Sequence, residues 1–148
     1  MLVQRITSLA ARMRAAIEAM PSEQLPITMS RFPAGSCGDV CLLLGAYFKD
    51  QGITDFQYIS GSRGSQQKNT WTSHAWLANE HLVVDITADQ FSDAPGKIIV
   101  TTTSPWHQSF KADTGCPSDF RVWIGPGTYH LHTMYHRLRY VLFDIPIT

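Results

Sequence analysis

Three residue types that together can make and break an acyl bond stand in one stretch of this chain: a cysteine, Cys37, a histidine, His74, and an aspartate, Asp85. Sulfur attacks a carbonyl carbon as the thiolate, and the start of a helix, where unsatisfied N–H groups and the macrodipole favour negative charge, is a standard place to generate one. Cys37 follows Ser36, a residue suited to capping a helix, and Asp39 lies where an acidic side chain favours the first turn. Gly35 and Gly38 leave room for a substrate carbonyl to come close, and the free amides of the helix start can hold an oxyanion. Ser36 and Gly38 are therefore candidate substrate-binding positions beside the nucleophile. Cysteine is also among the most buried residue types, and Cys41, one turn on, is assigned to the core.

A thiol nucleophile needs a base, and the base needs an orienting group. Register counting supplies both. If Asn79 and Glu80 close a two-residue hairpin, Ala78 faces His81 and, stepping back along the pair, His74 faces Asp85 on the same side of the sheet. Directly opposed Cβ atoms lie about 4.5–5.5 Å apart, within reach of an imidazole–carboxylate hydrogen bond. Trp76 shares the face of His74 and can shield the pair from water, and Gln90, just past the aspartate strand, can form a polar wall of the site. His107, beside Trp106, is an alternative base with no carboxylate near it in sequence, and Asp89 takes the place of Asp85 if the strand slips.

The stretch Phe32-Pro-Ala-Gly-Ser-Cys37-Gly-Asp39, followed by Ser73-His74-Ala75-Trp76-Leu77 and Val83-Val84-Asp85-Ile86-Thr87, resembles the transglutaminase-like branch of the papain-like cysteine enzymes. The resemblance covers roughly residues 35–91, and its strongest part is His-Ala-Trp followed after a short turn by the aspartate strand. It implies Cys37 as nucleophile, His74 as general base and acid, and Asp85 as the orienting carboxylate. Gly38 departs from it, because many transglutaminase-like members carry an aromatic residue after the cysteine. The similar NlpC/P60-type peptidases typically flank the cysteine with Asp and Ser, where this chain has Ser36 and Gly38. Arylamine N-acetyltransferases share the Cys-His-Asp order, but this chain is short for their additional domains.

The rest of the chain must position these groups. At 148 residues, 44% hydrophobic and 16% charged, it has the size and composition of one globular domain, residues 1–148, and not of a disordered or repetitive chain. Twelve basic residues balance twelve acidic ones, which argues against a nucleic-acid or anionic-membrane partner. The longest apolar run, residues 40–48, is about half a membrane span, and no apolar signal core opens the chain, so a cytoplasmic protein with reduced Cys37, Cys41 and Cys116 is expected.

Apolar spacing predicts helices over residues 2–20, 36–52 and 128–139, and strands over 53–59, 71–78, 81–86, 97–103, 120–124 and 140–145. The polar segment 61–70 reads as a loop able to act as a lid. The expected class is α+β, with the nucleophile helix packed on an antiparallel sheet in a papain-like, transglutaminase-like core. The expected chemistry is a cysteine hydrolase or acyltransferase acting through a thioester on a peptide or protein amide, without cofactor or metal, and with water the favoured acceptor. The competing readings are a catalytically silent papain-like module that grips a peptide or protein, and a zinc protein using His130, His132 and His136, whose spacing lacks both an intervening Glu and a cysteine pair.

Overall fold

The computed structural model describes residues 2–146. Helix α1 (Leu2–Ala19) buries Ile6, Ala10, Met13 and Ile17, a stripe at helical spacing, and ends just before Pro21. Two short 3₁₀ turns, Ser22–Gln24 and Ile27–Met29, carry the chain to α2 (Cys37–Asp50). This second helix is buried without a break from Val40 to Phe48, because it lies between α1 and the C-terminal helix on one side and the sheet on the other. Gly45 permits that central position: a Cβ there would meet the Ser118 carbonyl oxygen at 2.0 Å. Gly52, at φ +82°, lets the chain turn away after the helix.

Six antiparallel strands follow, β1 (Gln57–Arg63), β2 (Thr72–Ala78), β3 (Val83–Asp85), β4 (Ile99–Thr101), β5 (Lys111–Ala112) and β6 (Cys116–Pro117), in the order β4-β3-β2-β1 with β5 and β6 both on the free edge of β1. A four-residue helix, α3 (Pro105–Gln108), precedes β5, and α4 (Tyr129–Leu142) closes the fold. The class is α+β, with four helices and a six-stranded antiparallel sheet among the described residues. Ala75 and Leu77 enter the core shared with α2, while the alternate positions His74 and Trp76 meet an aromatic cluster of Phe91, Trp106 and Phe110. No described helix is long and apolar enough to cross a membrane.

Several boundaries differ from the expectation. Residues 120–122 form a 3₁₀ turn, capped by the Asp119 side chain on Arg121 N, and not a strand. Tyr140, Val141 and Leu142 continue α4 because Leu138 and Leu142 keep the helical stripe buried. Gly61, Ser62 and Arg63 belong to β1, so the exposed loop begins at Gly64, at φ +82°, and ends before Thr72.

Candidate functional site

Cys37 is the first residue of α2 and is partly buried. The local capping differs from that expected. Ser36 is fully buried and makes no side-chain cap; its hydroxyl donates to the Ala34 carbonyl at 3.3 Å. Asp39 accepts instead from Thr28 Oγ1 at 2.5 Å and pairs with His130 Nε2 at 2.9 Å, tying the preceding loop and α4 to the first turn of α2. The open space expected at Gly38 is partly filled: a Cβ there would lie 3.3 Å from the Tyr58 hydroxyl. Burial, then the neighbouring Cys41 and Cys37, hold the Tyr58 hydroxyl up at about 12, so it is a neutral phenol beside the cysteine. The buried Cys41 thiol is pushed well up, chiefly by desolvation, which keeps it protonated, and Cys116 is exposed.

His74 and Asp85 meet, though by a register other than the expected one. Asn79 Oδ1 accepts from His81 N at 2.8 Å and Leu82 N at 2.6 Å, so residues 79–82 form the turn and the ladder pairs Ala78 with Val83 and Leu77 with Val84. This corrects the pairing by two residues. Continued by one step, the ladder sets Asp85 across from Trp76 and one diagonal step from His74. A shift of two leaves every side chain on its original face, and an imidazole and a carboxylate are long enough to close the diagonal. His74 Nε2 lies 2.6 Å from Asp85 Oδ2.

The same Asp85 oxygen receives a second imidazole, His107 Nε2, at 2.7 Å. Relative exposures of 1%, 2% and 3% for His74, Asp85 and His107 make this an internal cluster. The other carboxylate oxygen accepts Thr87 N at 2.9 Å. Burial pushes the Asp85 carboxyl up, but hydrogen bonds from His107 and His74, the His74 charge and Thr87 N outweigh it and hold it at about 2. Burial likewise pushes His74 down, and the Asp85 hydrogen bond, then the Cys37 side chain and the Asp85 charge, lift it to about 9. At neutral pH this pair is an imidazolium and a carboxylate.

With Nε2 committed to Asp85, the Nδ1 side of His74 is left for the Cys37 side chain. Gln90 Nε2 donates to the Thr87 carbonyl at 3.1 Å and lies 3.4 Å from that nitrogen, while Gln90 Oε1 receives Gly35 N at 3.5 Å. Gln90 thus joins the aspartate loop to the loop before Cys37. Trp76, Phe91, Trp106 and Phe110 surround His74 with ring centroids 5.1–6.0 Å away, and Arg63 lies over Phe110 and Trp106 and pairs with Asp93. Asp89 does not replace Asp85 beside His74; its two oxygens bind the Arg14 guanidinium at 2.8 and 2.9 Å.

The histidines singled out near the C-terminus are not gathered. His130 pairs with Asp39, His132 meets the Phe120 edge and His136 meets Tyr140. Among the described residues, the group with metal-like spacing is His74, Asp85 and His107, whose ligand atoms lie within 4.8 Å of one another. Its N···O separations of 2.6 and 2.7 Å are hydrogen-bond lengths, whereas donors on a tetrahedral zinc stand about 3.3 Å apart. The cluster fits protons better than an ion. Sequence reasoning treated His107 as a substitute base and missed Ser104; the one available signal was Ser104-Pro105 before His107, a helix-start pattern. No family model, curated relative or solved structure matches the chain, so the reading rests on this geometry.

Proposed function

We propose that the chain is a cysteine-dependent hydrolase or acyltransferase with a papain-like, transglutaminase-like core, acting on a peptide or protein amide. The observation that carries this is the buried, hydrogen-bonded His74–Asp85 pair, coupled through His74 to a partly open cysteine at the start of a helix. The Cys37 thiolate attacks the amide carbon and forms the C–S bond. Collapse of the tetrahedral adduct breaks the C–N bond while His74 gives its proton to the leaving nitrogen. Water, or an amine, then attacks the thioester as His74 takes its proton, and the C–S bond breaks to return the thiolate. Asp85 stays ionised throughout and holds the imidazole. The backbone amides at the start of α2 supply the oxyanion donors.

Hydrolysis, deamidation and transamidation share the first half-reaction; water remains the favoured acceptor. The test is alkylation of Cys37, Cys41 and Cys116 by iodoacetamide across pH, read by mass spectrometry in the wild type and in His74→Ala. Fast reaction of Cys37 alone near neutral pH, slowed at least tenfold in His74→Ala, is the expected result. Equal, slow reaction of Cys37 in both proteins favours the silent binding module and overturns the enzyme reading.

A further inference from the structure

The carboxylate of a nucleophile–imidazole–carboxylate unit needs only one imidazole, yet Asp85 Oδ2 receives two. The second is itself held. His107 Nδ1 lies 2.5 Å from Ser104 Oγ, and that same oxygen accepts the His107 backbone N–H at 3.3 Å as the cap of α3. The donor count follows from Asp85 being acceptor-only when ionised: His74 and His107 must each present Nε2–H to it. With its Nε2 proton so used, His107 has Nδ1 left for the hydrogen bond with Ser104 Oγ, and that oxygen also accepts the backbone N–H.

We infer that His107, set by Ser104, is a positioning residue that holds the Asp85 carboxylate in the orientation that serves His74, so that four residues, Ser104, His107, Asp85 and His74, stand in line behind Cys37. Its importance to catalysis rests on the reading of Cys37 and His74 as the reacting pair, but the holding of Asp85 does not. The carboxylate lies at the end of the three-residue strand β3, with Thr87 N bonded to its other oxygen. Without His107, Oδ2 keeps a single partner, His74, which itself moves charge during a reaction. A second fixed donor on the same oxygen keeps the carboxylate in place while His74 gains and loses its proton. The titratable groups that face Asp85 are His74 from β2 and His107 from α3; Arg14 of α1 is bound nearby, to the Ile86 carbonyl and to Asp89, and the Cys41 thiol of α2 senses the Asp85 charge.

The test is the titration of the Asp85 side-chain carboxyl by ¹³C NMR in the intact chain, between pH 1 and 6.5, in the wild type, His107→Phe and His107→Gln, with amide spectra recorded at each pH to confirm folding. Phe keeps the ring volume without a donor, while the Gln amide nitrogen reaches about where the imidazole Nε2 stood. A hydrogen bond to a charged group is strong enough that its loss raises the carboxyl's proton affinity at least tenfold. His107→Phe is therefore expected to move the midpoint up by at least one pH unit, and His107→Gln to return most of that change. An unchanged midpoint in folded His107→Phe, or equal changes in the Phe and Gln variants, overturns the proposal. Ser104→Ala keeps the test decisive if His107→Phe does not fold: the same carboxyl must move in the same direction, by less, and an unmoved midpoint refutes the chain of four. Because this readout does not use Cys37, an inert thiol in the alkylation experiment would refute the enzyme reading while leaving the Asp85 result to be judged by itself.

Discussion

Replacing Asp85 by Asn removes the charge that keeps His74 protonated while leaving the side-chain volume in place. His74 rises from an ordinary 6.5 to about 9 although burial works against it, a difference of about 3 kcal/mol at roughly 1.4 kcal/mol per tenfold change in affinity. The Asp85 hydrogen bond is the largest of the raising causes and the Asp85 charge adds to it, the remainder coming from Cys37. More than half of the lift, about 2 kcal/mol, therefore belongs to Asp85, and in Asp85→Asn the His74 midpoint is expected below about 8. Long-range ¹H–¹⁵N imidazole spectra recorded from pH 5 to 10 measure it directly. Linkage gives a second reading of the same quantity. His74 is more basic folded than unfolded, so its contribution is complete below 6.5 and disappears as pH rises through about 9. Wild-type stability in urea should fall over that window, and the fall should shrink in Asp85→Asn. Asp85 runs the other way: held at about 2, its contribution is complete above its ordinary 3.8 and is lost as pH falls toward 2. A His74 midpoint that stays at about 9 in folded Asp85→Asn would refute the assignment of the lift to Asp85.

Two further substitutions test how the elements hold the site. Gly45→Ala puts a Cβ against the Ser118 carbonyl oxygen and carbon, which are backbone and cannot swing aside; a loss of about 2–3 kcal/mol and a fall of about 5–10 °C in melting temperature are expected by calorimetry, and an unchanged value would mean that the 118 loop is not held against α2. Asn79→Ala removes the acceptor shared by His81 N and Leu82 N; a cost of about 1–2 kcal/mol in urea unfolding is expected, and no cost would show that the turn does not depend on that side chain.

The α+β class and the meeting of His74 with Asp85 were legible for a reason that tolerates error in detail. The expected hairpin was wrong by two residues, but a strand has a period of two, so the face assignment survived and only the direct contact became a diagonal one. The turn was misread because Asn79 uses its side chain as an acceptor for two backbone amides, chemistry that a count of strand positions does not contain. Residues 140–142 were misread as a strand because Tyr140 and Val141 are good strand formers; burial of Leu138 and Leu142 along one helix face overrode that preference. His107 stood only as a substitute base, and not as a second partner of Asp85, for a different reason. It reaches Asp85 across 22 residues from a four-residue helix, and no local periodicity marks such a contact.

That long-range contact weighs on the choice between an enzyme and a silent module. Taking an ionised carboxylate and its imidazole partners out of water is expensive, and apolar residues of similar volume commonly fill such a space at equal or lower cost. The surroundings of this cluster are already apolar, with Trp76, Phe91, Trp106 and Phe110 packed around His74. A module that needed only a core at this point could complete that cluster with another aromatic side chain. The chain instead carries two histidines, an aspartate and a capping serine, hydrogen-bonded to one another in a row, and couples one end of the row to the single cysteine that is both partly open and at the start of a helix. A group kept charged, oriented and dry beside a thiol has a use in proton transfer that it lacks in packing. This reasoning fails if replacing His74, Asp85 and His107 together by apolar residues leaves Cys37 as reactive as before, since the cluster would then serve the core alone.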